Sequence, residues 1–323
     1  MEYTHLGRSG LLVSRLALGT MNFGPATAED ESHSILDRAL DAGINLVDTA
    51  NVYGWGEHKG RTEEIIGHWL AADGGRRDKV VLATKVYGSM SDWPNDRYLS
   101  ARNIRQACDA SLQRLRTDRI DLYQFHHVDR ATPWDEIWQA VDTLVTQGKV
   151  LYTGSSNFAG WHVVQAQETA RARDLVGLVS EQALYNLCER RVELELLPAC
   201  QAYGVGLLPW SPLHGGVLGG VLAKENPGRS AEGRAARYLA AHRDRIEAYE
   251  GVCRDLGHPP AEVALAWLLH REGVTAPVVG PRSVAQLDSA LAALDLRLEP
   301  EVLARLDEVF PGPGGQAPEA YAW

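Results

Sequence analysis

The sequence predicts an α/β fold closed as a (β/α)8 barrel, and three observations point there. Short apolar runs alternate with amphipathic stretches along nearly the whole chain, which implies parallel strands joined by crossover helices. Eight such couplets fit within 323 residues, as expected of a barrel of about 250 residues carrying insertions. No G-x-G-x-x-G follows the first apolar run, "LALGTMNFG", so the doubly wound sheet with its dinucleotide fingerprint is the weaker alternative.

The elements follow in order. Residues 1–14 read as a hairpin at the barrel bottom, because "GRSG" separates two short runs. The strand "RLALG" (15–19) precedes the helix "EDESHSILDRALDAG" (29–43), and "NLVDTA" (45–50) precedes "RTEEIIGHWLAA" (61–72). "KVVLATKV" (79–86) pairs with the helix over 100–116, "IDLYQFH" (120–126) with that over 133–148, and "KVLYTGSSN" (149–157) with that over 160–173. "GLVSEQAL" (177–184) leads to a helix over 192–204. "VGLLPWSP" (205–212) leads, through a long irregular stretch, to a helix over 260–273. "TAPVVGPR" (275–282) and a helix over 283–295 close the series. The Gly-rich, charged segment over 211–245, after the seventh strand, is long enough to be a lid over a cofactor. The ending "PGPGGQAPEAYAW" (311–323) is either a disordered tail or part of the pocket rim. The whole chain, 1–323, reads as one domain.

Composition narrows the function. A formal charge of −10 argues against a nucleic-acid partner, which needs a concentrated basic face. No run approaches the ~18 apolar residues of a membrane span, and the start "MEYTHLGRSG" lacks the apolar stretch of a signal peptide. The cysteines, Cys108, Cys188, Cys200 and Cys253, form no CxxC pair, so free thiols in a reducing cytoplasm are expected and no metal site is.

In such a barrel, chemistry collects where strands end. Those ends read Thr20-Met21-Asn22, Asp48, Lys85, His126, Ser156-Asn157, Gln182, Trp210-Ser211 and Gly280 to Arg282. Any one of them has an ordinary structural explanation, but all eight strands deliver a polar or aromatic group to one rim. A Tyr, Tyr53, follows Asp48 in a polar Gly-rich loop. A phenol titrates near pH ~10, and a cationic Lys beside it is expected to lower that value. Asp48 would hold Lys85 charged, and His126 would hydrogen-bond a carbonyl oxygen. Such a set can protonate an oxyanion as charge develops on it, but it has no nucleophile and no metal, so a nicotinamide hydride donor is implied.

The stretches "NLVDTANVYG", "VLATKV", "DLYQFHHVD", "GSSNF", "EQALYN" and "PWSPL", in this order and spacing, resemble the aldo-keto reductase family along nearly the whole chain. The resemblance implies a catalytic tetrad at Asp48, Tyr53, Lys85 and His126. His127 is expected to point to the opposite side of its strand end, since side chains alternate. It implies NADPH extended along the rim, beside Thr20, Met21, Asp48 and Gly280. Ser156, Asn157 and Gln182 would hold the nicotinamide carboxamide, and Trp210 would stack on its ring, although core packing also accounts for a Trp there. Ser211, Leu213 and Gly215 would lie along the pyrophosphate, with Arg282 and Gln286 at the adenosine end. Where the family commonly has Glu-Asn three residues after the Gln, this chain has Ser289-Ala290, which loosens the expectation of strict NADPH preference.

The substrate is expected to be a small-molecule carbonyl compound, with Tyr53, His126, Trp55 and Trp93 lining its pocket beside Met21 and Asn22. Trp134, Trp138 and Trp267 have helical context and are expected to pack. The sequence is also similar to family members of actinomycete deoxysugar and macrolide pathways, which act on nucleotide-linked keto or enoyl hexoses. Retention of His126 favours carbonyl over enoyl reduction. A NADPH-binding regulatory subunit of a membrane complex is the alternative from another class.

Overall fold

A computed structural model of the chain describes residues 1–72, 75–223, 230 and 233–322. The strands are β1 (Tyr3–His5), β2 (Leu12–Ser14), β3 (Ala17–Gly19), β4 (Leu46–Asp48), β5 (Val81–Val86), β6 (Ile120–Phe125), β7 (Val150–Ser156), β8 (Leu178–Leu184), β9 (Gly206–Trp210) and β10 (Val278–Val279). β3 to β10 form one closed parallel barrel in the order β10-β3-β4-β5-β6-β7-β8-β9, as expected, while β1 and β2 pair antiparallel outside it. The strand bounds are tighter than the apolar runs suggested. β4 stops at Asp48 rather than residue 50, and β10 spans two residues where eight were expected. The apolar runs overshoot because residues beyond a strand end still pack into loops, as Ala50 does beside Tyr53.

The helices are α1 (Glu29–Asp41), α2 (Arg61–Ala72), α3 (Arg76–Lys79), α4 (Ala101–Leu115), α5 (Trp134–Thr146), α6 (Gly160–Arg171), α7 (Leu196–Tyr203), α8 (Gly233–Ala241), α9 (Arg243–Leu256), α10 (Pro260–Leu269), α11 (Val284–Ala292), α12 (Pro300–Val309) and α13 (Glu319–Ala322). Their sequences explain them. Ser100 accepts from the Asn103 N–H at the start of α4, and Ile104, Cys108, Leu112 and Leu115 then recur on one buried face. α10 and α12 open on a proline, whose missing N–H costs nothing in a first turn. α3, α12 and α13 lie outside the expected couplets. Within 211–245 the described residues include α8, while 224–229, 231 and 232 lie outside the described residues. In the described part of the C-terminal segment the Ala317 N–H donates to the Leu194 carbonyl at 2.9 Å, and α13 follows.

The barrel interior is layered. Leu46, Ala83, Leu122 and Leu208 form an apolar floor with Leu6 and Val13 of the hairpin segment beneath it. Two residues further along the same strand faces come Asp48, Lys85, Gln124 and Trp210, so the period of two carries each strand from floor to polar rim. A larger apolar layer fills the space between the barrel and its helices, where Trp69, Trp138 and Trp267 are fully buried and Trp134 packs at the edge. The expected packing roles of Trp134, Trp138 and Trp267 match these positions.

Candidate active site

The ion pair of Asp48 and Lys85 forms the centre of the rim. Lys85 Nζ donates to Asp48 Oδ2 at 2.6 Å, to the Thr49 carbonyl at 2.9 Å and, longer, to the Tyr53 hydroxyl at 3.5 Å. Asp48 Oδ1 accepts from two amides, Gln124 Nε2 at 2.8 Å and Gln182 Nε2 at 2.9 Å. Register brings these groups together, since Asp48 pairs with Ala83 and Lys85 with Gln124. Gly154 makes room, because a Cβ there would sit 3.2 Å from the Gln124 side chain and closer still to Ser180. Thr20 ties the first barrel strand in, its hydroxyl donating to the Asp48 carbonyl at 2.9 Å.

Tyr53 is brought over this pair by the loop after β4. Gly54, at φ +114°, turns the chain so that the Gly60 N–H returns to the Tyr53 carbonyl at 3.0 Å. The Tyr53 ring is 5.9 Å from the His126 ring, edge to face, and 5.8 Å from Trp55, and Met21 packs beside it. The four residues of the expected tetrad therefore converge. Trp93, expected in the same pocket, is 67% exposed and has no ring contact among the described residues.

The electrostatics correct one expectation. Burial drives the Tyr53 phenol above its ordinary value, and this outweighs the opposing pull of Lys85. The expectation that Lys85 would leave a lowered phenol was wrong in net direction, because desolvation cannot be judged before packing is known. Burial also pulls Lys85 down, but Asp48 and then Tyr53 more than offset it, so the ammonium is held above its usual range. Burial, with Lys85 and His127 adding to it, puts His126 far below its ordinary value and keeps it neutral.

His127 departs from the expected opposite direction. β6 ends at Phe125, so strand alternation no longer governs residues 126 and 127, and their rings stack 5.2 Å apart. His127 in turn meets Tyr87 at 5.2 Å.

The groups expected to hold a cofactor are partly engaged with one another. Asn157, in left-handed backbone at φ +60°, donates to the His126 carbonyl at 3.0 Å and accepts from Trp210 Nε1 at 3.1 Å. The Ser156 hydroxyl donates to the Gln182 carbonyl at 2.8 Å, and the Gln182 amide is directed at Asp48. Arg234 of α8 lies 5.3 Å from the centre of the Trp210 ring, a neighbour that strand-end reading could not supply. From Ser211 to Gly216 the chain turns repeatedly through left-handed backbone, and Ser211 Oγ accepts the Gly215 N–H at 3.2 Å. Asn22 Nδ2 donates to the Gly280 carbonyl at 2.7 Å, closing β3 against β10. Arg282 is exposed with no ion pair among the described residues, whereas the Gln286 side chain accepts from the Arg282 N–H at 2.9 Å. A flat half-buried aromatic, a glycine-rich turn and an exposed guanidinium along one rim suit a long anionic ligand with an aromatic end. Nicotinamide dinucleotides meet that description.

Gln124 is the functional neighbour that the sequence reading missed. It lies two residues after the inward-facing Leu122 on β6, so the period of two held the signal.

Comparison with known proteins agrees with the geometry. The profile described as "Aldo/keto reductase family" matches residues 15–310. An "Uncharacterized oxidoreductase YrpG" of Bacillus subtilis (strain 168) is 54% identical over 327 residues, covering 100% of both chains. A "Probable voltage-gated potassium channel subunit beta" of Oryza sativa subsp. japonica is 35% identical, covering 96% of each chain. A "Versiconal hemiacetal acetate reductase" of Aspergillus parasiticus is 33% identical, covering 96% of this chain and 97% of its own. With a closed eight-stranded barrel, an Asp-Lys-Tyr-His cluster on its rim and full-length relatives of this kind, the chain belongs to the aldo/keto reductase family of oxidoreductases.

Proposed function

We propose that the protein is an NADPH-dependent carbonyl reductase that converts an aldehyde, ketone or keto-sugar to the alcohol, with Tyr53 as proton donor. The observation that carries this reading is the buried Lys85 ammonium set between the Asp48 carboxylate and the Tyr53 hydroxyl. A bound reduced nicotinamide would supply the hydride. Trp210, Asn157 and the turn from Ser211 would hold that end, and Arg282 would pair with a phosphate.

The carbonyl oxygen would sit between the Tyr53 and His126 rings. Neutral His126 orients it by a hydrogen bond. Tyr53 gives up its proton as negative charge builds on that oxygen, and Lys85 stabilises the phenolate left behind. Asp48, Gln124 and Gln182 keep Lys85 charged and fixed. Because burial holds the phenol above its ordinary range, Tyr53 keeps its proton through neutral pH, the state that reduction requires. Oxidation of the alcohol needs the phenolate, so it should speed up as pH rises while reduction stays level through neutrality.

The test is NADPH oxidation against a panel of aldehydes, ketones and nucleotide-linked ketosugars, run beside Tyr53→Phe. The variant should lose about a thousandfold in turnover while binding NADPH as before. Wild-type turnover by the variant would remove Tyr53 from the role. A second reading, an auxiliary NADPH-binding subunit, is favoured by the relative named a potassium channel subunit beta. Copurification with a channel protein, together with no turnover across the panel, would support it.

A further inference from the structure

A cavity of about 490 Å³ opens on the same rim, between the loop after β5 and the loop after β6. That is room for a substantial organic group. Tyr87, Arg97, Tyr98, Asp129 and Arg130 lie on its wall. It is joined to the candidate active site by an unbroken series of rings. Tyr53 meets His126 at 5.9 Å, His126 meets His127 at 5.2 Å, His127 meets Tyr87 at 5.2 Å, and Tyr87 meets Tyr98 at 5.3 Å. The Arg97 guanidinium then lies 5.1 Å from the Tyr98 ring centre.

Three features mark this cavity as more than a gap between loops. First, Arg97 and Arg130 form no ion pair among the described residues, in a protein of net charge −10 where arginines elsewhere are widely paired. Second, the one carboxylate on the wall is already committed. Asp129 accepts from the Leu99 N–H at 3.1 Å, the Ala131 N–H at 2.9 Å and the Thr132 hydroxyl at 2.7 Å. Other acids of the loop are Asp92 and Asp96, which lie off the wall, and Asp96 is bound by the Ser91 hydroxyl. Third, Tyr98 holds left-handed backbone at φ +66°, a conformation costly for a tyrosine. That conformation is pinned by its N–H to the Tyr87 carbonyl at 2.7 Å and by Asn103 Nδ2 to its own carbonyl at 2.8 Å. The chain thus holds an aromatic wall and two uncommitted guanidiniums a few rings from the phenol.

We propose that this cavity receives the distal, anionic end of an extended carbonyl substrate, with Arg97 and Arg130 as the specificity-determining residues that grip its phosphate or carboxylate. The inference rests on the carbonyl-reductase reading and names the substrate class for that same site. Guanidinium forks match such oxyanions in geometry, and the tyrosine rings cover the chain between the two ends. Both arginines are exposed, so the attraction is screened by salt.

The experiment uses three aldehyde series of increasing length, ending in a phosphate, a carboxylate or a neutral hydroxyl. Each is assayed with the wild type and with Arg97→Gln/Arg130→Gln. The wild type should prefer an anionic aldehyde over its neutral counterpart by about tenfold in kcat/KM at low salt, only when the chain is long enough to reach the cavity. The preference should shrink at high salt and fall to near one in the double variant. The phosphate and carboxylate arms show which oxyanion fits. Equal kcat/KM for charged and neutral aldehydes in the wild type, or a preference that survives in the double variant, overturns the inference and leaves the carbonyl-reductase reading standing. If no aldehyde turns over, that reading falls. The cavity is then judged by titrating inorganic tripolyphosphate against the fluorescence of Trp93, which sits in the same loop. Saturable quenching lost in the double variant upholds the anion site, and its absence in the wild type refutes it.

Discussion

Glu181 and Gln182 are neighbours on β8, yet they face two regions built on opposite principles. Gln182 points into the barrel, where it and Gln124 donate to Asp48. Glu181 points outward, into the layer between β7, β8 and the helices. There it accepts from the Ser155 hydroxyl and from the Phe158 N–H at 3.0 Å. Both carboxyl groups are buried, Asp48 at 3% exposure and Glu181 at 0%. The barrel supplies a cation to its carboxyl, and among the described residues the outer layer supplies neutral donors to Glu181. Burial pushes Glu181 up to about 8, its hydrogen bonds offsetting only part of that rise. Lys85 in turn is held charged by its partners. Depth of burial alone therefore does not set the charge of a buried acid; the partner does. One region holds a buried ion pair, and the other holds a neutral acid fixed by hydrogen bonds.

The comparison is broken most severely at Lys85. Lys85→Met would leave Asp48 buried without its cation, the situation Glu181 resolves by taking up a proton. The expected cost is roughly 3–5 kcal/mol of stability in urea unfolding and about a thousandfold or more in single-turnover hydride transfer. A variant as stable as the wild type would mean that the pair contributes nothing by its charge complementarity.

Glu181 gives the next largest effect, and its sign is opposite to that of the usual salt-bridged acid. Its folded value is raised, so its contribution is fully present below the unfolded value near 4.5 and is lost as pH rises through about 8. Wild-type stability should fall by on the order of a few kcal/mol across that window, and Glu181→Gln should flatten the decline. Parallel urea midpoints against pH for both proteins would show that the carboxyl does not titrate as proposed.

Gln124→Ala sharpens the comparison with the smallest change. One of the two amide donors to Asp48 is removed and the ion pair stays. A loss of about 1–2 kcal/mol is expected, seen as a roughly tenfold lower kcat with KM nearly unchanged. A change confined to KM would mean that Gln124 lines the substrate pocket rather than supporting Lys85 through Asp48.

Much of this was readable from residue order. The eight strands, their parallel closure and the delivery of Asp48 and Lys85 to the rim follow from local periodicity, while Tyr53 and His126 were expected beside them from the family resemblance. An apolar run of alternating faces must deliver its last inward residue to the rim. The readings that went astray were at ends and surroundings. β10 shrank to two residues, His127 stacked on His126 once the strand had stopped, and α12 and α13 lay beyond the repeating couplets. Trp93 was expected at the pocket from its loop position, which carries no direction; its side chain is 67% exposed.

Sequence alone therefore determined the architecture and the inventory of the rim, because strand and helix periods are properties of neighbouring residues. Only the tertiary structure decided which groups share a proton's surroundings. It brought Gln124 to Asp48, set Arg234 over Trp210, left Arg97 and Arg130 without ion pairs among the described residues beside a cavity, and drove the Tyr53 phenol up rather than down. These outcomes depend on barrel register and on how much water packing removes, and both are sums over residues far apart in the chain.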